Sequence, residues 1–422
     1  MTTQRLVIDR LGHRGEGVAH VDDRRVFVPY ALAGETVLAD VDGDHARLVE
    51  IVEASPDRIA PCCPHYGDCG GCAVQTLAPP AYAQWKRELV VTALRNAGLD
   101  FEVEPLIDAH GAGRRRVTFH ARMDNGKARV GFMAARSHEI VEIGACPLLA
   151  SDLVGALPAA RALAQTLAAH GKPLDLLFTA TLTGLDVDLR GAGALDEREL
   201  RALIAVAEAH DIARLSNHGR LVVMRRTPRL AVGAVFVTPP PSAFLQATQE
   251  GEAALAALVG EAAGEAKRAA DLFCGLGAFA LRLASRLRLL AHDSDAGAIE
   301  AMLTAARATG NLHPLTATAR DLFKRPLDAR ELSEVDLVVF DPPRAGAQAQ
   351  AQEIARSTAA TVVAVSCNAQ SFARDAGILL AGGYAPHKVT PIDQFRFSPH
   401  VEVVAAFSRP RLRAGRRRAL FG

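Results

Sequence analysis

Three cysteines in one loop have a spacing that suits an inorganic group. Cys63, Cys69 and Cys72 are separated by five and by two residues, in a stretch rich in glycine and proline that can curl around a small body. A fourth thiol, Cys146, lies between an alanine and a proline at a turn-like site. Four thiolates suit either tetrahedral zinc or an iron–sulfur cluster, and packing alone seldom places a CxxC pair in a loop.

A thiol and a carboxylate further along the chain could perform covalent catalysis on a pyrimidine. Cys367 follows the apolar run 361–365, and Glu402 lies in a later run that would return to the same sheet edge. A thiolate that adds to carbon 6 of a pyrimidine makes carbon 5 nucleophilic enough to accept a methyl group, and a carboxylate can then remove the carbon-5 proton. On spacing alone, Cys367 could equally be an inert buried thiol.

A glycine turn predicts a nucleotide-like cofactor. The apolar run 269–273 leads into Gly275 and Gly277, and Asp293 ends the next predicted strand, where it could accept hydrogen bonds from ribose hydroxyls. A dinucleotide enzyme is the obvious rival interpretation. The turn lacks the full GxGxxG spacing, however, and S-adenosylmethionine fits better because it has no pyrophosphate to bind.

These residues can act together only if they lie at the same edge of a sheet, and the order of the predicted strands and helices places them there. Residues 242–422 alternate strands with helices, and runs such as 335–340 are apolar throughout. This pattern predicts a parallel sheet with helices on both faces, whose ligands bind at the carboxyl ends of the strands. Asp341 lies at that edge, where the two prolines that follow it fix the backbone and let the carboxylate face the cofactor and the target base.

The first half of the chain has a different organisation. Residues 5–53 alternate apolar and polar positions in short runs broken by glycine, as in a small all-β barrel of a kind that often binds oligonucleotides. The cysteine loop occupies 54–78, a helical pattern follows over 80–97, and 114–235 mixes strands with helices. We therefore expect a barrel followed by an α+β domain.

Composition excludes several classes of protein. The 422 residues carry a formal net charge of +1, which predicts no global attraction to nucleic acid. No apolar run approaches bilayer-spanning length and no signal peptide is apparent, so we expect no membrane association. The seven cysteines, an odd number, favour reduced thiols in the cytoplasm. Local arginine clusters could contact phosphates. They are Arg114–Arg116, Arg225–Arg226 and a tail with Arg409, Arg411, Arg413, Arg416, Arg417 and Arg418.

Taken together, these motifs resemble the RNA uridine-C5 methyltransferases, and specifically the iron–sulfur members that modify 23S rRNA and begin with a TRAM domain. The motifs that carry the resemblance also include Phe244-Leu245-Gln246 and His400-Val401-Glu402. The resemblance implies Cys367 as the nucleophile and Glu402 as the proton acceptor. It implies S-adenosylmethionine contacts at Gln246, Phe273, Asp293, Asp321 and Asp341. It implies [4Fe–4S] ligation by Cys63, Cys69, Cys72 and Cys146.

The prediction is an α/β protein in three parts. A small OB- or TRAM-like β-barrel spans 1–56, an iron–sulfur loop with an α+β central domain spans 57–238, and a Rossmann-like class I methyltransferase domain spans 239–422. We expect a cytoplasmic monomer that methylates uridine at carbon 5 in RNA, with 23S rRNA as the first candidate.

Three other functions are compatible with parts of the pattern. A tRNA uridine-C5 methyltransferase would use the same chemistry, but such relatives usually lack the barrel and the cluster. A non-catalytic RNA-binding or ribosome-assembly protein would not need both Cys367 and Glu402. A radical S-adenosylmethionine enzyme requires a CxxxCxxC spacing that is absent. The chain also departs from the family pattern at Ala278, Asp293 and Ala369, which bears on cofactor affinity and target choice.

Overall fold

A computed structural model of the chain describes residues 2–409, and its N-terminal part is a six-stranded sheet in the order β1-β5-β6-β4-β3-β2. Alternate apolar side chains, among them Leu6, Val26 and Val37, point into one small core, as the sequence alternation predicts. The strands are β1 (Thr2–Val7), β2 (Arg10–Leu11), β3 (Gly17–Val21), β4 (Arg24–Val28), β5 (Thr36–Asp42) and β6 (His45–Glu53).

Beyond the cysteine loop, a long helix connects the barrel with the last domain. Helix α1 (Pro79–Asn96) begins with proline in its first turn, where the missing N–H has no helical partner to lose. Its residues Val90 and Leu94 pack in the core of the C-terminal sheet. The short strand β7 (Ile107–Asp108) then joins the edge of that sheet.

The central part is a seven-stranded sheet in the order β10-β9-β8-β11-β12-β13-β14. Its strands are β8 (Arg116–Asp124), β9 (Lys127–Met133), β10 (Ile140–Glu142), β11 (Leu174–Thr181), β12 (Gly184–Arg190), β13 (Ile212–Asn217) and β14 (Arg220–Met224). Two helices, α2 (Ala156–Thr166) and α3 (Glu197–Ala209), bury Leu163 and Leu203 in its core. Short 3-10 helices lie at Ser151–Leu153 and Ala168–His170.

The C-terminal part is preceded by a hairpin of β15 (Leu230–Val232) and β16 (Val235–Val237). Its eight-stranded sheet has the order β19-β18-β17-β20-β21-β23-β22-β7. The new strands are β17 (Arg268–Leu272), β18 (Arg288–Asp293), β19 (Leu315–Ala319), β20 (Leu337–Phe340), β21 (Thr361–Ser366), β22 (Ala385–Asp393) and β23 (Glu402–Ser408). The helices are α4 (Gln249–Ala262), α5 (Ala280–Leu283), α6 (Ala296–Ala308), α7 (Gln348–Arg356) and α8 (Ala369–Ala381).

Alternate residues of the buried strands enter two different cores, as a sheet covered on both faces requires. Val338 and Phe340 pack on one face, whereas Leu337 and Val339 pack on the other. The five strands β17 to β21 are mutually parallel, which confirms the Rossmann-like prediction. Strand β23 is antiparallel to its neighbours β21 and β22, so its first residue lies at the carboxyl edge of the parallel strands.

Helix α1 and strand β7 belong to the C-terminal sheet by packing, although they precede the central sheet in the chain. The boundaries 1–56, 57–238 and 239–422 therefore stay a prediction. Among residues 2–409, no helix has both the length and the apolar character needed to cross a bilayer. The predicted arginine tail from Arg411 onward lies outside the described residues. Arg409 itself stacks over the Tyr384 ring, 4.2 Å from its centroid.

Candidate active site

The glycine turn follows β17 and is held by two carboxylates, of which Asp271 is buried. Asp271 accepts a hydrogen bond from the Ala280 N–H at 2.8 Å, and Asp293 accepts one from the Gly275 N–H at 2.9 Å. Gly277 has a φ of +87°, and a Cβ there would lie 2.6 Å from the sulfur of Met302, so any other residue would be strained and crowded. Burial, with smaller contributions from the nearby carboxylates, raises the pKa of Asp271 well above its usual value.

The sequence-predicted cofactor residues end neighbouring parallel strands. Asp293 ends β18, Phe273 follows β17, Asp341 follows β20 and Asp321 follows β19, so all four lie at one edge of the sheet. The ring of Phe273 packs against that of Phe323, with centroids 5.5 Å apart. Phe323 remains half exposed and was missed in the sequence, where its only signal is an aromatic residue just after a strand end.

Gln246 is brought to the same edge from the segment before α4. Its side-chain amide donates to Oδ2 of Asp341 at 3.0 Å, and both side chains are largely buried. Burial raises the pKa of Asp341 to about 7, while the Gln246 amide opposes that shift. The two motifs that sequence analysis singled out separately are therefore one hydrogen-bonded unit.

Cys367 and Glu402 meet because β21 and β23 are antiparallel neighbours. Ser366 of β21 pairs with Val403 of β23. Because the strands are antiparallel, Cys367, which follows Ser366, lies beside Glu402, which precedes Val403. Burial, then the charges of Glu402 and Asp341, raise the pKa of the Cys367 thiol to about 12, and Arg344 opposes them. Burial, then Asp341, raise the pKa of Glu402 to about 8.

Cys367 opens into a large cleft, a cavity of about 900 Å³. Arg10 and Arg14 of the barrel, Cys72 of the cysteine loop and His400 also line it. Barrel, cysteine loop and methyltransferase sheet thus face one cavity. A cavity of this volume can admit a flipped nucleotide.

The four cysteines of the predicted cluster line a second cavity of about 410 Å³. All four are free thiols, and burial raises the pKa of Cys69, Cys72 and Cys146, with neighbouring thiols adding to the effect. No group of three or more potential ligands within residues 2–409 is arranged to hold a metal ion. Four cysteine thiols around one cavity suit either a zinc ion or an iron–sulfur cluster.

Two of the predicted phosphate-binding clusters are engaged within the protein. Arg115 pairs with Glu252 at 2.5 Å and donates to the carbonyl of Gln246. Arg116 donates to the carbonyls of Ser242 and Ala243. In the second cluster, Arg225 and Arg226 both pair with Asp211. These side chains anchor loops to the sheets, a role that charge clustering in a sequence cannot distinguish from phosphate binding.

Comparisons with known proteins agree with this geometry. The tRNA (Uracil-5-)-methyltransferase family matches residues 242–409, and the TRAM domain matches residues 1–48. An uncharacterized RNA methyltransferase of Brucella suis is 44% identical over 97% of this chain and 99% of its own. The 23S rRNA (uracil(1939)-C(5))-methyltransferase RlmD of Halomonas elongata is 33% identical over 96% of this chain and 89% of its own.

A solved structure shares the fold. The Pyrococcus abyssi tRNA (uracil-54, C5)-methyltransferase, in complex with S-adenosyl-L-homocysteine, superposes with a TM-score of 0.71 at 21% identity and covers 96% of this chain and 99% of its own. The sheet order, the site motifs and the end-to-end similarity to relatives lead to one conclusion. The chain belongs to the RNA uracil-C5 methyltransferase family and begins with a TRAM domain.

Proposed function

We propose that the protein methylates carbon 5 of a uridine in 23S rRNA, with Cys367 as the nucleophile and Glu402 as the base. The observation that carries the proposal is the meeting of this thiol and this carboxylate at the ends of β21 and β23, beside Asp341 and open to the large cleft. A non-catalytic RNA-binding protein would have no use for this arrangement.

The reaction divides between the two side chains. Cys367 adds to carbon 6 of the uracil, which makes carbon 5 an enolate-like nucleophile. S-adenosylmethionine, when bound, supplies the methyl group. Glu402 then removes the carbon-5 proton, so that the Cys367 sulfur can leave carbon 6. Gln246, Phe273, Asp293, Asp321 and Asp341 surround the carboxyl edge of the sheet and would hold the donor there.

The thiol cavity supports a [4Fe–4S] cluster on Cys63, Cys69, Cys72 and Cys146, in keeping with its four reduced thiols. When bound, the cluster would cross-link the cysteine loop to the turn at Cys146. Anaerobically purified protein should be brown and contain about four iron atoms per chain. Stoichiometric zinc without iron under those conditions would contradict this part of the proposal.

The choice of 23S rRNA over tRNA rests on similarity to RlmD along nearly the whole of both chains. The family description and the archaeal neighbour keep tRNA as the second candidate. Mass-spectrometric mapping of rRNA and tRNA from a deletion strain, followed by methylation of each RNA with purified protein, distinguishes them. If the deletion strain lacks 5-methyluridine in tRNA but not in rRNA, the substrate is tRNA. A monomeric, cytoplasmic protein stays a prediction.

A further inference from the structure

A second buried amide connects the base with the cofactor side of the site. Gln394 is fully buried and directly follows β22. Its Nε2 donates to Oε1 of Glu402 at 2.9 Å and to Oε1 of Gln246 at 2.6 Å. Because Gln246 donates in turn to Asp341, two amides join the two carboxylates in one hydrogen-bonded chain.

The orientation of the Gln394 amide is fixed by its surroundings. The backbone N–H of Thr248 faces Oε1 of Gln394 at 3.4 Å. A reversed amide would set its carbonyl oxygen against the oxygens of Glu402 and Gln246, and its hydrogens against the Thr248 N–H. When Glu402 is ionised, only the native orientation satisfies all of these groups, and the carboxylate receives an N–H donor from Gln394.

This arrangement makes the two oxygens of Glu402 unequal. Oε1 accepts from Gln394, whereas Oε2 is buried and has no hydrogen-bond partner among the described residues. The charged or titratable groups that face this carboxyl are Asp341, from the end of β20, and Cys367, from the end of β21, with Arg344 beside Cys367. A buried oxygen without a hydrogen-bond partner is costly, and a catalytic role is one reason for a protein to keep one.

We propose that Gln394 is a positioning residue for the base, whose amide holds Oε1 of Glu402 and leaves Oε2 as the oxygen that takes the carbon-5 proton. This inference rests on the proposed function of Glu402. In the step, the carbon-5 to hydrogen bond breaks and its proton goes to Oε2. Its electron pair forms the double bond between carbons 5 and 6, and the Cys367 sulfur leaves carbon 6 with the pair of the broken carbon–sulfur bond.

The hydrogen bond from Gln394 also favours the ionised form of Glu402, which a base needs. It lowers the pKa of Glu402, against burial and Asp341, which together raise that pKa to about 8. Without this donor, less of the carboxyl would be ionised at a given pH. Loss of the amide should therefore slow proton removal and move its pH dependence to higher pH.

The test replaces Gln394 with methionine, which has similar length and volume but no hydrogen-bonding amide. In single-turnover reactions with labelled RNA and S-adenosylmethionine, Gln394→Met should still form the covalent protein–RNA adduct. Decay of that adduct, followed on denaturing gels, should be about ten- to hundred-fold slower than in the wild type, as for loss of a hydrogen bond to a charged group. The rise of the decay rate with pH should occur at higher pH.

Gln350→Met is the matched control, because Gln350 is another buried glutamine, 1% exposed, whose amide pairs with the backbone of Leu327 rather than with a site residue. It should lose stability yet keep the wild-type decay rate and pH profile. If Gln394→Met does not fold, Gln394→Asn preserves the polarity but draws the amide back from Glu402, and the same slow decay is expected.

Two results would overturn the inference: a wild-type decay rate and pH profile in the Gln394 variants, or equal slowing in Gln350→Met. Glu402→Gln separates this failure from failure of the proposed function. If Glu402→Gln traps the adduct while the Gln394 variants do not, only the role of Gln394 is wrong. If Glu402→Gln releases methylated RNA at the wild-type rate, the base assignment itself is wrong.

Discussion

The thiol and the carboxylate of the site lie in surroundings that disfavour their charged forms. The pKa of Cys367 is raised to about 12 and that of Glu402 to about 8, chiefly by burial. Near neutral pH the RNA-free protein thus holds Cys367 as a thiol, which is neither a strong nucleophile nor easily oxidised. We expect thiolate formation to accompany uridine binding, when the target base enters the cleft beside Arg344.

Variants of these two residues should stop the reaction at different points. Cys367→Ala should abolish both methylation and any covalent RNA adduct, because carbon 5 is never activated. Glu402→Gln should still attack and methylate, then stall with RNA attached to Cys367. A denaturing gel with labelled RNA should therefore show a shifted band for Glu402→Gln and none for Cys367→Ala. Turnover by Cys367→Ala would exclude the covalent mechanism.

The raised pKa of Glu402 should also appear in the stability of the protein. The folded state holds the Glu402 proton up to about pH 8, whereas the unfolded chain releases it near the ordinary value of 4.5. The stability that this proton contributes is therefore fully present below the lower value and is lost as the pH rises through the higher one. Glu402→Gln, which cannot ionise, should lose less stability than the wild type over this range.

Thermal melting of both proteins from about pH 5 to about pH 9 measures this difference. The melting temperature of Glu402→Gln minus that of the wild type should increase as the pH rises. Asp341 and Cys367 titrate beside Glu402, so the difference between the two melting curves reports Glu402 together with its electrostatic interaction with these two groups. Parallel melting curves at all pH values would show that Glu402 is not held protonated in the folded protein.

Sequence reasoning could find the residues whose types are chemically distinctive, and it missed the ones that position them. Cys367, Asp341 and Glu402 stand at strand ends within recognisable motifs. Gln394 and Lys86 have no such signal, because a glutamine or a lysine is usually exposed in a folded protein. Lys86 pairs with a residue 307 positions away, and Gln394 joins Glu402 to Gln246, which is 148 positions from Gln394.

Among the elements, the connection between β22 and β23 determines where the base lies, and helix α1 holds that connection. Lys86 is fully buried, pairs with Asp393 at 2.8 Å and donates to the carbonyls of Phe395 and His400. Tyr82 donates to the other oxygen of Asp393 at 2.5 Å. The segment that leads into Glu402 is thus fixed by two residues one helical turn apart.

Breaking this buried ion pair should be costly. Lys86→Met leaves the carboxylate of Asp393 buried with one donor fewer, and we expect a loss of about 3–5 kcal/mol in the free energy of unfolding. Urea denaturation measures it. The double variant Lys86→Met with Asp393→Asn removes the stranded charge and should recover part of the loss. A loss below about 1 kcal/mol in the single variant would show that water replaces the lysine.

The spacing of apolar residues predicted where helices and strands occur better than it predicted the direction of each strand in its sheet. The helix expected over 80–97 is α1, and the apolar runs that end at the glycine turn and at Asp341 are β17 and β20. The antiparallel direction of β23 was not predictable, since a fully buried strand is apolar throughout whichever way it runs. The short hairpin β15–β16, expected to be part of the central domain, packs in one core with β18 and α6.

At the scale of the whole molecule, the barrel and the cysteine loop are docked onto the catalytic part. Trp85 of α1 donates to the carbonyl of Gly12 in the barrel at 3.2 Å, and Arg136 pairs with Glu16. The backbone N–H groups of Ala73 and Val74, next to Cys72, both donate to the carbonyl of Phe397. The cysteine loop therefore braces the same β22–β23 connection that α1 holds.

This docking places basic barrel residues over the site, although the net charge of the chain is only +1. Arg10 and Arg14 are exposed and line the cleft that contains Cys367, so they are placed to bind phosphates flanking the target uridine. Replacing both with alanine should weaken RNA binding. It should also lower the slope of log K against log salt by roughly 0.7–0.9 for each phosphate that the protein no longer neutralises.

The matched control is Arg24→Ala with Arg25→Ala, because these two arginines are equally exposed on β4 of the same barrel but lie outside the cleft. Both double variants remove two positive charges, so a general electrostatic attraction would weaken binding by the same amount in each. If the cleft is the path of the RNA, only the Arg10 and Arg14 variant should show the reduced salt slope in binding titrations. Equal slopes in the two variants would mean that RNA reaches Cys367 along another surface.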